Sequence, residues 1–571
     1  MPAPTHRGFV FLLSLLVAWG ASEPCQGASP VAVEVLALLE DGDRSQELRV
    51  ACERIHASDD LLRYYRHREF APLWVTDAGP LPLFHDTVEL LRTADRHGLT
   101  PADYHFGCLN AASERFRATL EQGQQPTLRD LAEQDVVLTD AFLTFGSHLV
   151  AGRVDAEQLY PQWLSATRKA DLLQVLRDLE EHRDPQRAVG RLAPSRGEYT
   201  RTLAAAEAMD TASWYPYPYE RDLQRGMGDR RVPELRRRLV AGGDLDPAAP
   251  LTGQDFDASV EQAVRRFQAR HGLVADGIVG PAMRRALNVP AAERRRQLLL
   301  NLERWRWLPR SWGQRYLLVN AADYALEAFD KGERVLRMRV IVGEEYRRTP
   351  VFSERMTYLE INPYWNVPAS IFVEELLPRL QQDPDYLSTR HYELLSGWEA
   401  SSRRLDPRGM DWQRVSAAAL PGRIRQLPGP WNALGRIKFM FPNRFNVYLH
   451  DTPDRHLFQR SQRALSHGCI RVERPLDLAA FVLEETPGWG RERVEAAIAG
   501  GERRVVPLAR PVPVHLLYLT AWVDETWVIQ FREDIYQRDE VLWRALQGEP
   551  GEGTEISRQS GHPKEGAATA D

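Results

Sequence analysis

Through the first third of the chain, hydrophobic residues recur at helical spacing. Val31, Val35, Leu38 and Leu39 set the pattern, which gathers apolar side chains on one helix face. Leu61, Leu62, Tyr64 and Tyr65, then Phe70 to Trp74, add an aromatic cluster, and His97-Gly98-Leu99 reads as a helix stop. Residues 31–212 are therefore expected to form a helical scaffold with its aromatics inside. The prolines between 214 and 219 mark a linker. In 220–292, Val232, Leu235 and Leu239 share one helix face and Val260, Ala263, Val264 and Phe267 another, and a Gly-rich loop leads to Met283 and Leu287. A small three-helix domain is expected there.

Past residue 300 the period changes to two. Segments 316–319, 325–329 and 335–342 alternate and are broken by Asp330-Lys331-Gly332, which predicts a β-meander within a mostly-β domain over 300–510. Residues 371–427 interrupt it with Leu376, Leu377 and Leu380 in a helical, loop-rich insertion able to cap a site. Alternation over 445–449 predicts a strand ending at His450, and a helix follows from Pro475. Residues 511–547 read as strands and a closing helix that complete the scaffold. From 548 to 571 almost nothing large and apolar remains, so that tail is expected to be disordered. The fold class expected is α+β and multidomain.

Composition narrows the functions. A chain of 571 residues is too long for one core. With 73 basic against 79 acidic residues and a net charge of −6, there is no basic excess to hold phosphates, so nucleic-acid partners are not expected. His6 and Arg7 precede an apolar run from Phe9 to Trp19 and then small residues, the layout of a secretory signal over 1–28. The run is short for a membrane span, so membrane attachment is expected only if the signal stays uncleaved. Among four cysteines, Cys52 and Cys108 are expected to pair in an oxidising compartment and leave Cys469 free.

The chemistry concentrates in Ser466-His467-Gly468-Cys469-Ile470-Arg471, with His450 nineteen residues before the cysteine. A thiol nucleophile needs an imidazole to take its proton, and His450 or His467 can serve. Gly468 permits positive φ, which would let nearby amides face an oxyanion. Arg471, two residues on, shares the face of Cys469 in an extended segment and could grip a carboxylate. Tyr448 and Trp365 are candidate pocket walls, and Ser466 a candidate substrate contact. Two other readings of these residues stay open, an inert core cysteine and a zinc site of His450, His467 and Cys469.

The spacing of His450, fifteen residues, then Ser466-His467-Gly468-Cys469 resembles the L,D-transpeptidase catalytic domain of the YkuD type. Arg471 stands where the family often has Asn. Thr349-Pro350, 362–368, 428–435 and 518–522 resemble the large periplasmic YcbB-like group, and Phe267-Gln268, Gly272-Leu273 and 276–281 are similar to the peptidoglycan-binding domain type one. The resemblance implies a periplasmic enzyme of cell-wall synthesis that forms 3-3 cross-links between diaminopimelate residues. It implies Cys469 as nucleophile, His450 as base and no cofactor or metal. The implied partners are peptidoglycan stem peptides and glycan, with penicillin-binding proteins working alongside, and carbapenems are the implied inhibitors. A non-catalytic wall-binding scaffold and a sortase-like or peptidase-like cysteine acyltransferase are the alternatives.

Overall fold

The computed structural model describes residues 29–42, 48–51, 53–164, 169–209, 211, 215–399, 401–416 and 422–548. The signal segment, Cys25, Cys52 and the tail beyond 548 lie outside the described residues. Cys108 has its sulfur 3.8 Å from Gln134 Oε1, and the bridge expected between it and Cys52 falls on a residue outside the described ones. No helix among the described residues is long and apolar enough to cross a membrane.

The chain divides into two compact units, one of residues 1–92, 101–145 and 172–188, the other of 93–100, 146–171 and 189–571. In the first, helices Ser58–His67, Pro82–Arg92 and Phe106–Glu121 enclose the predicted aromatics. Tyr65 and Trp74 are fully buried around the Asp135 carboxylate, which accepts hydrogen bonds from the Tyr65 hydroxyl at 2.6 Å and the Trp74 amide at 2.7 Å. Buried polar groups persist only when paired in this way.

Part of the expected scaffold belongs to the second unit. Helix Gly197–Ala208 belongs to the second unit, because its Tyr199 and Ala206 are buried with Leu298, Leu302 and Trp305 of helix Ala291–Arg306 and with Phe531. The three-helix domain appears as predicted, with helices Val232–Ala241, Ala258–Arg270 and Pro281–Leu287 around Leu235, Val264 and Phe267. Its loop is fixed by Gln268, which donates to Asp276 and to the Ile278 carbonyl and accepts from the Gly277 amide.

A nine-stranded sheet forms the expected mostly-β region. Strand Glu333–Gly343 pairs with Ile470–Val472, and the order continues through Leu449–His450, Ile437–Met440, Phe352–Ile361, Arg504–Leu517, Arg315–Asn320 and Ala325–Asp330. The last of these pairs back onto Glu333–Gly343, closing a barrel, while Ala464–Ser466 adds in parallel at its end. Closure removes the exposed sheet edges. Residues 511–517 do not complete the scaffold as expected; they extend Arg504–Leu517, whose apolar side chains fill this sheet.

Two further expectations change. The 445–449 alternation gives a strand only at Leu449–His450, because Asn443 holds the preceding segment as a loop. Its Oδ1 accepts from the Phe445 and Val447 amides, and Asn446 adopts a left-handed φ of 53°. The capping insertion contains its predicted helices at Leu377–Leu380 and Tyr386–Thr389, after a π-helical turn at Phe372–Leu376. It also contains an antiparallel sheet in the order Arg404–Leu405, Tyr392–Leu395, Arg423–Gln426 and Trp365–Asn366. Those strands are too short for alternation to reveal. Phe372, Leu380, Leu394 and Trp412 give the insertion its own core.

Candidate active site

Alternation places the chemistry on the barrel's outer face. Phe439, Leu449 and Ile470 point into the core, so Lys438, Tyr448, His450, Cys469 and Arg471 point the other way. Pairing then aligns them. Lys438 sits opposite His450, His450 beside Arg471, and the Ile470 amide donates to the Tyr448 carbonyl, which brings Tyr448 next to Cys469.

The turn before Cys469 is held from three sides. Gly468 has φ of 109°, a conformation suited to glycine. Ser466 accepts from the Gly468 amide and donates to the Cys469 carbonyl. Thr349 Oγ1 donates to the Gly468 carbonyl at 2.9 Å and accepts from the Gly343 amide at 2.9 Å. At Gly343 an added Cβ would lie 2.0 Å from the Arg347 carbonyl oxygen, so only glycine fits.

A cavity of about 1060 Å³ opens over this face. Cys469, Gly468, His467, Tyr448 and Trp365 line it, as do Lys438, Asn446 and Arg347. Cys469 is half-buried, with its sulfur 3.9 Å from the Asn446 carbonyl oxygen. Burial pushes the thiol above its ordinary value, while the Tyr448 amide and hydroxyl and the charges of Lys438 and Arg471 pull it back. Burial likewise holds the Tyr448 phenol well above its usual range, with the neighbouring Cys469 adding to the effect.

His450 is buried behind the lining. Its Nδ1–H donates to the Asp451 carbonyl at 2.6 Å, which leaves Nε2 as a free acceptor. Burial, with Arg471 and Lys438 nearby, lowers its pKa to about 3, so the ring is neutral. Among the described residues it makes no hydrogen bond to Cys469. His467 lines the cavity instead, with Nε2 2.9 Å from Glu375 of the capping insertion. Burial and Arg347 lower its pKa, and Glu375 opposes them.

Two expected contacts fall elsewhere. Ser466 is buried and spends its hydroxyl inside the turn, so it shapes the loop and does not face a ligand. Arg471 shares the face of Cys469 but lies outside the lining, and its guanidinium leans towards Asp454 at 3.7 Å. The Gly468 amide is likewise engaged, donating to Ser466 Oγ at 3.2 Å, so it is not the donor expected to face an oxyanion. Among the described residues no group of three or more His, Cys, Asp or Glu side chains is set to hold a metal ion.

Sequence reasoning missed Lys438, Thr349 and Glu375 as site residues. Lys438 carried a signal, a lone charge inside Ile437-Lys438-Phe439, whereas Glu375 carried none.

Comparison with known proteins agrees with this geometry. Residues 314–495 match the model of the L,D-transpeptidase catalytic domain, 59–205 the scaffold domain and 229–287 the "Putative peptidoglycan binding domain". The chain is 36% identical over 246 residues to the "Putative L,D-transpeptidase" of Haemophilus influenzae, covering 43% of this chain and 48% of that protein. It thus spans about half the length of that relative. It is also 48% identical over 69 residues to the N-acetylmuramoyl-L-alanine amidase CwlM of Mycobacterium tuberculosis, covering 10% of this chain and 17% of that protein. Among solved structures, an L,D-transpeptidase from Xylanimonas cellulosilytica is 17% identical, covering 52% of this chain and 98% of that one, with a TM-score of 0.16, too low to weigh in the assignment. The chain therefore carries an L,D-transpeptidase catalytic domain, with Cys469 on its cavity, alongside a scaffold domain and a peptidoglycan-binding domain.

Proposed function

We propose that this protein is a peptidoglycan L,D-transpeptidase that forms 3-3 cross-links through a cysteine acyl-enzyme. The reading rests on one observation above others, a half-buried Cys469 opening onto a large cavity inside a domain of this family. Cys469 passes its proton to His450 Nε2 and attacks the diaminopimelate carbonyl of a donor stem. The Cys469 amide steadies the oxyanion, a contribution of about 2–4 kcal/mol for one such donor. The tetrahedral intermediate collapses to a thioester, and D-alanine leaves with the proton from His450. An amine on a neighbouring stem then attacks the thioester and frees the thiol. Glu375 of the insertion meets His467 at the cavity's edge, and Trp365 and Tyr448 wall it.

The peptidoglycan-binding domain at 229–287 supports wall glycan or stem peptide as the surface on which the enzyme works. The apolar run from Phe9 to Trp19 supports export, and we place the working enzyme in the periplasm.

Intact-protein mass spectrometry after carbapenem treatment, with peptide mapping, is expected to show one adduct on Cys469. Incubation with tetrapeptide stems is expected to release D-alanine and yield a dimer joined between two diaminopimelates, and Cys469→Ala to abolish both. Hydrolysis without dimer formation would instead mark a peptidase. A physiological effect surviving Cys469→Ala would mark a non-catalytic scaffold.

A further inference from the structure

The strand Ile437–Met440 turns a single charge towards the cavity floor. Lys438 lines the cavity with Cys469 and Tyr448, and its Nζ lies 4.0 Å from the centroid of the Tyr448 ring. Its register partners are Glu360 on one side and His450 on the other. Glu360 is turned to Arg503, 2.8 Å from its Nε, and among the described residues Lys438 has no carboxylate partner. An ammonium withdrawn from water is costly, and the Glu360 carboxylate that offsets part of this cost is shared with Arg503, so its place on the cavity suits a further anion there.

The charged and titratable groups around that point are few. Glu360 and Arg503 pair with each other, and Arg471 lies by Asp454. His467 faces Glu375, with Arg347 beside it. His450 is kept neutral, so it offers no positive charge to a forming thiolate. Lys438, and after it Arg471, oppose the burial that disfavours ionisation of the Cys469 sulfur, which shares the cavity with Lys438 and Tyr448.

We propose that Lys438 is a positioning residue acting through Cys469, its ammonium being a fixed positive charge that eases ionisation of the sulfur, while His450 only carries the proton. In this step the S–H bond breaks, the electron pair stays on sulfur, the proton passes to His450 Nε2, and Lys438 remains protonated throughout. The Tyr448 ring, its centroid 4.0 Å from the ammonium, orients it through its π face, and the phenol of the same residue favours the ionised sulfur by hydrogen bonding. The proposal rests on the reading of Cys469 as nucleophile.

The test is the pH dependence of Cys469 alkylation by iodoacetamide in the full chain between pH 5 and 10, read by peptide mapping so that Cys108 does not contribute. Lys438→Met is expected to move the midpoint up by about one unit, a roughly tenfold slower alkylation at neutral pH. Lys438→Arg should restore most of it, a rescue that a packing role would not produce. If the Met variant fails to fold, Lys438→Gln compared with Lys438→Arg gives the same contrast. Superimposable profiles in the wild type and the uncharged variants would overturn the proposal. So would an unchanged profile with a raised KM for stem peptide, which would make Lys438 a substrate contact. A wild-type Cys469 unreactive at every pH would instead remove the nucleophile reading beneath it.

Discussion

Thr349→Val isolates the hydroxyl that ties the nucleophile's turn to the barrel. Thr349 is only 1% exposed, and its Oγ1 serves two backbone groups, the Gly343 amide and the Gly468 carbonyl, each at 2.9 Å. Valine matches its shape but can neither donate nor accept. Both backbone groups then stay buried without that partner, at about 1–3 kcal/mol each. Neighbouring bonds from Tyr536 to the Gly343 carbonyl and from the Thr349 amide to Tyr536 remain, so the lower end applies, about 2 kcal/mol in all. Local opening of the turn should rise about thirtyfold. The assay is hydrogen–deuterium exchange of peptides spanning 464–472, which reads that turn directly in a chain too large to unfold as one unit. Transpeptidation should fall at least tenfold as the thiol loses its fixed approach. Thr349→Ser keeps the hydroxyl and should exchange close to wild type. If Ser and Val behaved alike, or if neither altered exchange at 464–472, the reasoning would be refuted.

Glu375→Gln removes the carboxylate 2.9 Å from His467. The pair is partly exposed and worth up to about 1 kcal/mol. Exchange across 372–380 should quicken by up to about fivefold, and no change there would show that this contact does not hold the cap. Acid should weaken the larger unit through its buried histidines. Burial lowers the pKa of His97 and His450 to about 3 and of His515 to about 4, whereas unfolded histidine titrates near 6.5. Between those values the unfolded chain binds protons that the folded chain does not, so stability rises with pH. From pH 6.5 down towards 4 each ring therefore removes about 1.4 kcal/mol per unit, about 4 kcal/mol for the three. Thermal melts at pH 7 and pH 5 check this; equal midpoints would contradict it.

The loop around Cys469 was legible because its parts adjoin in the chain. The proposed nucleophile, turn glycine and bracing serine lie within four residues; Ser466 shifted from ligand contact to turn clamp, and the Gly468 amide from oxyanion donor to partner of that serine. The three-helix domain was legible for a similar reason, its Gln268 reaching only as far as Ile278. The 445–449 strand misled because alternation does not register the left-handed turn at Asn446 or the loop bonds of Asn443. The strands of the insertion were invisible because a two- to four-residue strand carries no period.

What the residues pointed to alone was the proposed chemistry, since a thiol, an imidazole and a turn glycine lie at short spacing in the chain. What only tertiary structure decided was the electrostatic setting of that thiol. Thr349 meets Gly468 across 119 positions, and Lys438 faces Cys469 only because neighbouring barrel strands align distant residues on one outer face. Alternation tells which way a side chain points, but not which strand lies beside it.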